Sequence, residues 1–154
     1  MKALKWLYAL VFALAFTLLI EWVGAVSVQN GLAWYTTLTL PAFSIKPIMH
    51  SIIWCVVYAL SIYIIARLVI KNELLPYIYL YGLGGLLLSI WTVVFFVAHL
   101  KIIALIILLL EIIISFIYEK RLIKKHTLLA FLYLPILCWY SYLFIINYSI
   151  VLLN

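Results

Sequence analysis

The chain has very little charge, and almost none of it is acidic. Its 154 residues include 4 Asp+Glu and 10 Lys+Arg, so charged types make up 9%, where a soluble domain carries about 25%. Too few polar residues remain to cover a soluble core. That excludes a soluble enzyme, and the lack of polar tracts excludes a disordered arm. Cysteine is scarce too: Cys55 and Cys138 both lie inside apolar runs and read as buried thiols, with no reason in the sequence to pair them. There is no glycine-rich phosphate loop, no zinc-type spacing and no Ser-His-Asp set, so hydrolysis and phosphoryl transfer have no carrier. The net charge of +6 is no nucleic-acid signal, because the basic residues are scattered at the ends of apolar runs.

What the chain has in abundance is apolar length, 71% of its residues. A membrane-spanning helix needs roughly 20 such residues. Five stretches qualify, at about 4–26, 47–70, 74–98, 102–118 and 127–152. The expected fold is therefore all-α: a polytopic bundle of five transmembrane helices in one domain, 1–154, with the lipid bilayer as its first partner. Lys2, Lys5 and a possible cleavage site at Ala25-Val26-Ser27 imitate a signal peptide, but the run is long enough to span, so a retained helix is expected. An N-terminus inside places Lys2, Lys5, Arg67, Lys71, Lys120, Arg121, Lys124 and Lys125 inside and only Lys46 and Lys101 outside. That bias puts the N-terminus on the cytoplasmic side, with the first loop and the C-terminus opposite.

The first connection, Ser27 to Lys46, is longer than the roughly 2–8 residues usual between bundle helices. It carries Trp34, Tyr35, Leu38, Leu40 and Phe43, is stiffened by Pro41 and Pro47, and holds Gly31, which can end a helical turn or start another. Two readings stand: an interfacial aromatic anchor, or a lid over the trans mouth of the bundle. On the second span His50, Trp54, Tyr58, Ser61 and Ile65 share one stripe; on the fifth, Pro135, Trp139, Tyr142 or Leu143, and Asn147 form another. Trp91 and Phe95 add to them from the third. These rings either pack helix to helix or line a flat apolar slot for a planar ligand. Glu111 is the acid plainly within a span, where such residues face a bundle interior or a partner. His99 reads as interfacial. The small residues Gly82, Gly84 and Gly85, and Ala9 with Ala13, allow close packing.

Several motifs in register resemble the TspO/MBR family, the tryptophan-rich sensory and translocator proteins. They are Trp34-Tyr35-x-x-Leu38-x-x-Pro41-x-Phe43, then Trp54-x-x-x-Tyr58, then Trp91-Thr92-x-x-Phe95-Phe96, and Pro135-x-x-x-Trp139 followed by Asn147-Tyr148-Ser149. The departures are Leu40 for the usual Lys, Phe43 for the loop Trp, Ile45-Lys46 for Pro-Pro, Gly84 for Gln, Leu88 for Asn and Ile136 for Tyr. The resemblance implies a five-helix pocket under the first loop that binds porphyrins, haem or similar tetrapyrroles, in a receptor, sensor or carrier. It implies Trp34, Phe43, His50, Trp54, Tyr58, Trp91, Phe95, Trp139, Tyr142 and Asn147 as ligand contacts, and a homodimer with one small-residue face as its seam. Some members are reported to degrade porphyrin in light and oxygen, and Trp54 and Trp139 occupy the positions that would be catalytic. No metal site and no required cofactor are expected. A structural assembly factor whose aromatics only pack remains the alternative.

Overall fold

The computed structural model describes residues 2–154. Met1, and the side chain of Lys2 with its place in the charge count, lie outside the described residues. Those residues form five helices, each long and apolar enough to cross a membrane, and no strand. An apolar segment in lipid must satisfy its own backbone, and a helix does so within itself. They are α1 (Lys2–Tyr35), α2 (Pro47–Ile70), α3 (Leu75–Thr92), α4 (Lys101–Lys125) and α5 (Thr127–Leu153); Val93–Val97 continues α3 as a turn of π-helix.

The helices pack as a ring. α1 touches α2 and α3, α3 touches α4, α4 touches α5, and α5 closes back on α2. The α2–α5 seam is the least extensive of these contacts. Most outward side chains are large and apolar, as a lipid-facing surface requires. Cys55 and Cys138 point outward with them. The expectation of buried thiols is thus corrected: an apolar neighbourhood in a membrane helix means lipid as readily as core.

The first span differs most from expectation. α1 is 34 residues long, about 50 Å at 1.5 Å per residue, and runs nine residues past Val26. Ser27 does not break it, because its hydroxyl donates back to the Val23 carbonyl at 2.7 Å. Gly31 does not end it either. It lies against the Phe96 backbone, where a Cβ would overlap the carbonyl oxygen. The true first loop is 36–46, and Trp34 and Tyr35 belong to the last helical turn. The fourth span is likewise longer than 102–118: the helix runs on through Lys120 and Arg121 to Lys124 and Lys125, with Leu122 buried between them. α2 ends where Asn72 takes φ 58°. Glu73 N–H donates to Leu68 O and Asn72 N–H to Val69 O, both at 3.0 Å, which satisfies carbonyls that the helix end would leave open.

One end of the ring gathers basic groups. The Arg67 guanidinium lies over Trp6. Lys71 Nζ is 3.2 Å from His126 Nδ1, and Arg121 donates to the Pro76 carbonyl at 3.0 Å. His126 Nε2 is 2.6 Å from Glu73. At the other end Lys101 Nζ donates to the Asn154 carbonyl at 3.0 Å. The expected charge asymmetry between the two ends is therefore a geometric fact for the described side chains.

Candidate functional site: the aromatic seam of α2 and α5

The periodicity of α2 turns His50, Trp54 and Tyr58 toward α5, and that of α5 presents Trp139 and Tyr142 to them. Trp54 meets Trp139 edge-on, ring centres 5.9 Å apart at 87°. His50 packs against Trp139 at 4.9 Å. Trp54 stacks on Tyr58 at 5.2 Å and Trp139 on Tyr142 at 5.3 Å. Pairs of this kind contribute about 0.5–1.5 kcal/mol each beyond burial. Pro135 sits one turn before Trp139. A membrane helix tolerates it because neighbours re-satisfy the freed backbone.

A second aromatic group lies at the ends of α1 and α3. Trp91 stacks on Phe95 at 5.9 Å, and Trp34 meets Phe95 edge-on at 5.4 Å. Trp34 also stacks on the His99 ring at 4.1 Å. The π turn brings both Phe95 and Phe96 inward. The Trp91 indole donates to Asn147 Oδ1 at 3.2 Å, while Asn147 Nδ2 donates to the Lys101 carbonyl at 3.1 Å. Asn147 thus ties α3, α4 and α5 together, and its polar atoms are already engaged.

His50 joins the two groups. With Tyr35, Trp91, Phe95 and Asn147 it lines an internal cavity of about 40 Å³, enough for ordered water but far below the roughly 300–1,000 Å³ of a small-molecule pocket. The larger space is outside this packing. A groove of about 350 Å³ opens along the α2–α5 seam, walled by Ile45, Ile53, Pro135, Cys138, Trp139 and Tyr142. The aromatic interior is closed, and the open room lies beside Trp139.

The loop 36–46 lies over this end of the bundle and is pinned at two places. Ile45 N–H donates to the Tyr142 hydroxyl at 3.2 Å. The Asn154 carboxamide makes a two-point clasp on Thr39, receiving its N–H at 2.8 Å and donating to its carbonyl at 3.0 Å. Pro41 is buried, and Pro47 opens α2 at its first turn. Phe43 is 52% exposed and stands apart from both aromatic groups. One feature of Trp139 is unusual: its indole N–H is buried and has no hydrogen-bond partner.

A sequence model of the TspO/MBR family matches residues 9–153. The chain belongs to the TspO/MBR family. No curated protein matches it by sequence. Membership in the TspO/MBR family supports a membrane sensor or binding protein in general terms, and the ring of five helices agrees with it. Among the described residues no group of three or more His, Cys, Asp or Glu is placed to hold a metal ion.

The faces offered as a dimer seam are used within the chain. Ala9 and Ala13 are fully buried, in a cluster with Ile65 and Ala66 of α2. Gly85 lies against Ile20, and Gly84 against the Glu111 carboxyl. One functional candidate escaped the sequence reading. Glu21 sits mid-way along α1, where its Oε2 accepts the Tyr58 hydroxyl at 3.2 Å. It lies inside the expected span 4–26, and the signal that could have found it is the one that marked Glu111, an acid within an apolar run.

Proposed function

We propose that the α2–α5 seam takes a planar, largely apolar ligand of the tetrapyrrole type, porphyrin or haem, and that the protein serves as a membrane receptor, sensor or carrier for it. The observation that carries this reading is the unpartnered, buried indole N–H of Trp139 beside an open groove. A buried donor without a partner costs about 1–3 kcal/mol, and a ligand acceptor that met it once the ring turned toward the groove would relieve that cost. Trp139, Tyr142, Trp54 and Tyr58 supply faces and edges for stacking. Trp91, Phe95, Trp34 and Asn147 form the wall behind His50, and the loop with Phe43, Pro41 and Pro47 forms the cover. His50 acts in this reading as an aromatic wall member, with no axial coordination required.

The test is a titration of protoporphyrin IX into the purified protein. Saturable quenching of tryptophan fluorescence with a shift of the porphyrin bands is expected, and Trp139→Phe should weaken binding about 5–10-fold for the loss of one hydrogen bond. Absence of both signals removes the ligand reading and leaves a structural assembly role. A second reading, light- and oxygen-dependent breakdown of the bound porphyrin, is favoured by the indole–indole contact of Trp54 and Trp139. Under illumination, band loss that disappears in Trp54→Phe and Trp139→Phe selects it; unchanged decay in both rejects it. In this reading the basic end of the ring, with the N-terminus, faces the cytoplasm, and a reporter fused after Asn154 should read as non-cytoplasmic. The homodimer belongs to the same reading, and cross-linking in native membranes should find it on outer faces other than Ala9–Ala13.

A further inference from the structure

The centre of the ring holds a second, chemically different site. All five helices contribute to a closed cavity of about 10 Å³, lined by Glu21 from α1, Tyr58 and Ser61 from α2, Tyr81 from α3, and Glu111 and Ser115 from α4, with tyrosines from α5 completing the wall. This is close to the least volume that admits one water-sized particle. Its polar lining is oxygen throughout: two carboxyls, phenols and alcohols. No Lys, Arg or His borders it.

Most of these oxygens already have partners. Tyr58 donates to Glu21 at 3.2 Å, Thr17 pairs with Tyr81 at 3.1 Å, and Ser115 donates to Glu111 Oε1 at 2.9 Å while lying 2.9 Å from the Tyr133 hydroxyl. Glu111 Oε2 has none. Its residue is 2% exposed, and this oxygen is buried without any hydrogen-bond partner. Gly84 is what lets the carboxyl sit there, since a Cβ at that position would lie 2.9 Å from both of its oxygens. Buried carboxylates persist in a membrane only when paired or compensated.

We propose that this cavity is a binding site for one dehydrated monovalent cation of about the size of water, the chemistry shared by potassium and ammonium. Hard oxygen donors suit such an ion. The volume leaves no room for the waters that magnesium retains or for an organic cation. One cation between two acids, with a single proton left on the pair, brings the cavity to neutrality. Tyr58 and Glu21 also line a groove of about 530 Å³ on the outer face of α1, so the wall on that side is one side chain thick. The site is separate from the aromatic seam, and its test is independent of any porphyrin.

The experiment is thermal unfolding of the purified protein at fixed chloride concentration, with potassium, ammonium, sodium or choline as the cation. At about tenfold above its dissociation constant, potassium or ammonium should raise the midpoint by about 3–6 °C over choline, with sodium giving less. Comparing the potassium and ammonium arms decides which ion the site prefers. The difference should vanish in Glu111→Gln and in Glu21→Gln. Tyrosine near-ultraviolet absorption of the wild-type protein should shift when potassium replaces choline, which provides a reading even if a variant fails to fold. Equal midpoints and unchanged tyrosine spectra across all four salts overturn the site. So does a potassium shift that survives in both variants.

Discussion

Replacing Gly31 by alanine should destabilise the protein even though alanine is the better helix former. A Cβ at Gly31 would overlap the carbonyl oxygen, carbonyl carbon and Cβ of Phe96. Two of those atoms are backbone of the π turn and cannot rotate aside, so α1 must lift from α3. Overpacking of this sort costs about 1–3 kcal/mol, and removing a mid-helix glycine returns about 0.5–1 kcal/mol. The centres of those ranges leave a net loss of about 1.25 kcal/mol. At about 2–4 °C per kcal/mol for a chain of this length, the midpoint should fall by about 2–5 °C. Gly24→Ala is the matched control: its Cβ would meet Thr92 at 3.6 Å, ordinary contact, so only the helix gain remains and the midpoint should rise by about 1–4 °C. Circular dichroism melts in one detergent suffice as the assay. A Gly31→Ala protein as stable as Gly24→Ala would refute the close crossing of α1 over the π turn, and with it the continuation of α1 through the polar residues 27–31.

Asn147→Leu should be costly, because it strands the buried Trp91 indole N–H; about 1–3 kcal/mol of lost stability is expected, and a melting point within 2 °C of wild type would contradict the three-helix tie. Asn154→Ala removes both clasp bonds to Thr39, so chymotrypsin should cut after the exposed Phe43 several-fold faster while the global melting point barely moves; unchanged cleavage would show that the clasp does not hold the loop. Cys55→Leu and Cys138→Leu exchange one outward apolar surface for another, so each should move the melting point by less than about 2 °C, whereas a large loss in both would restore the buried reading.

The number of helices was legible because each apolar run approaches membrane thickness and the breaks between runs are charged. Where helices stop was not. Gln29, Asn30 and Gly31 look like a loop to a reading based on polarity. A helix that leaves the hydrocarbon can carry such residues freely, and Gly31 is there for a close crossing that only the fold reveals. Glu21 carried the same signal as Glu111, an acid within an apolar run, and its contact with Tyr58 is what shows that it faces the interior. The grouping of His50, Trp54 and Tyr58 with Trp139 and Tyr142 followed directly from helical spacing on two spans that then met. Phe43 did not join them, because a loop residue has no periodicity to aim it. The thiols were misjudged for a related reason: in a lipid-facing bundle, apolar neighbours do not tell inside from outside.

The central claim is that a planar ligand lies along the α2–α5 seam, against Trp139 and the rim that includes Cys138. Protoporphyrin IX titrations of Cys138→Trp and Cys55→Trp, compared with wild type by the porphyrin band shift, test it most directly. Cys138 walls the groove, so the account predicts that Cys138→Trp fills it and weakens binding at least about tenfold, while Cys55→Trp, outside the groove, leaves binding unchanged. Equal weakening by both, or by neither, would contradict it.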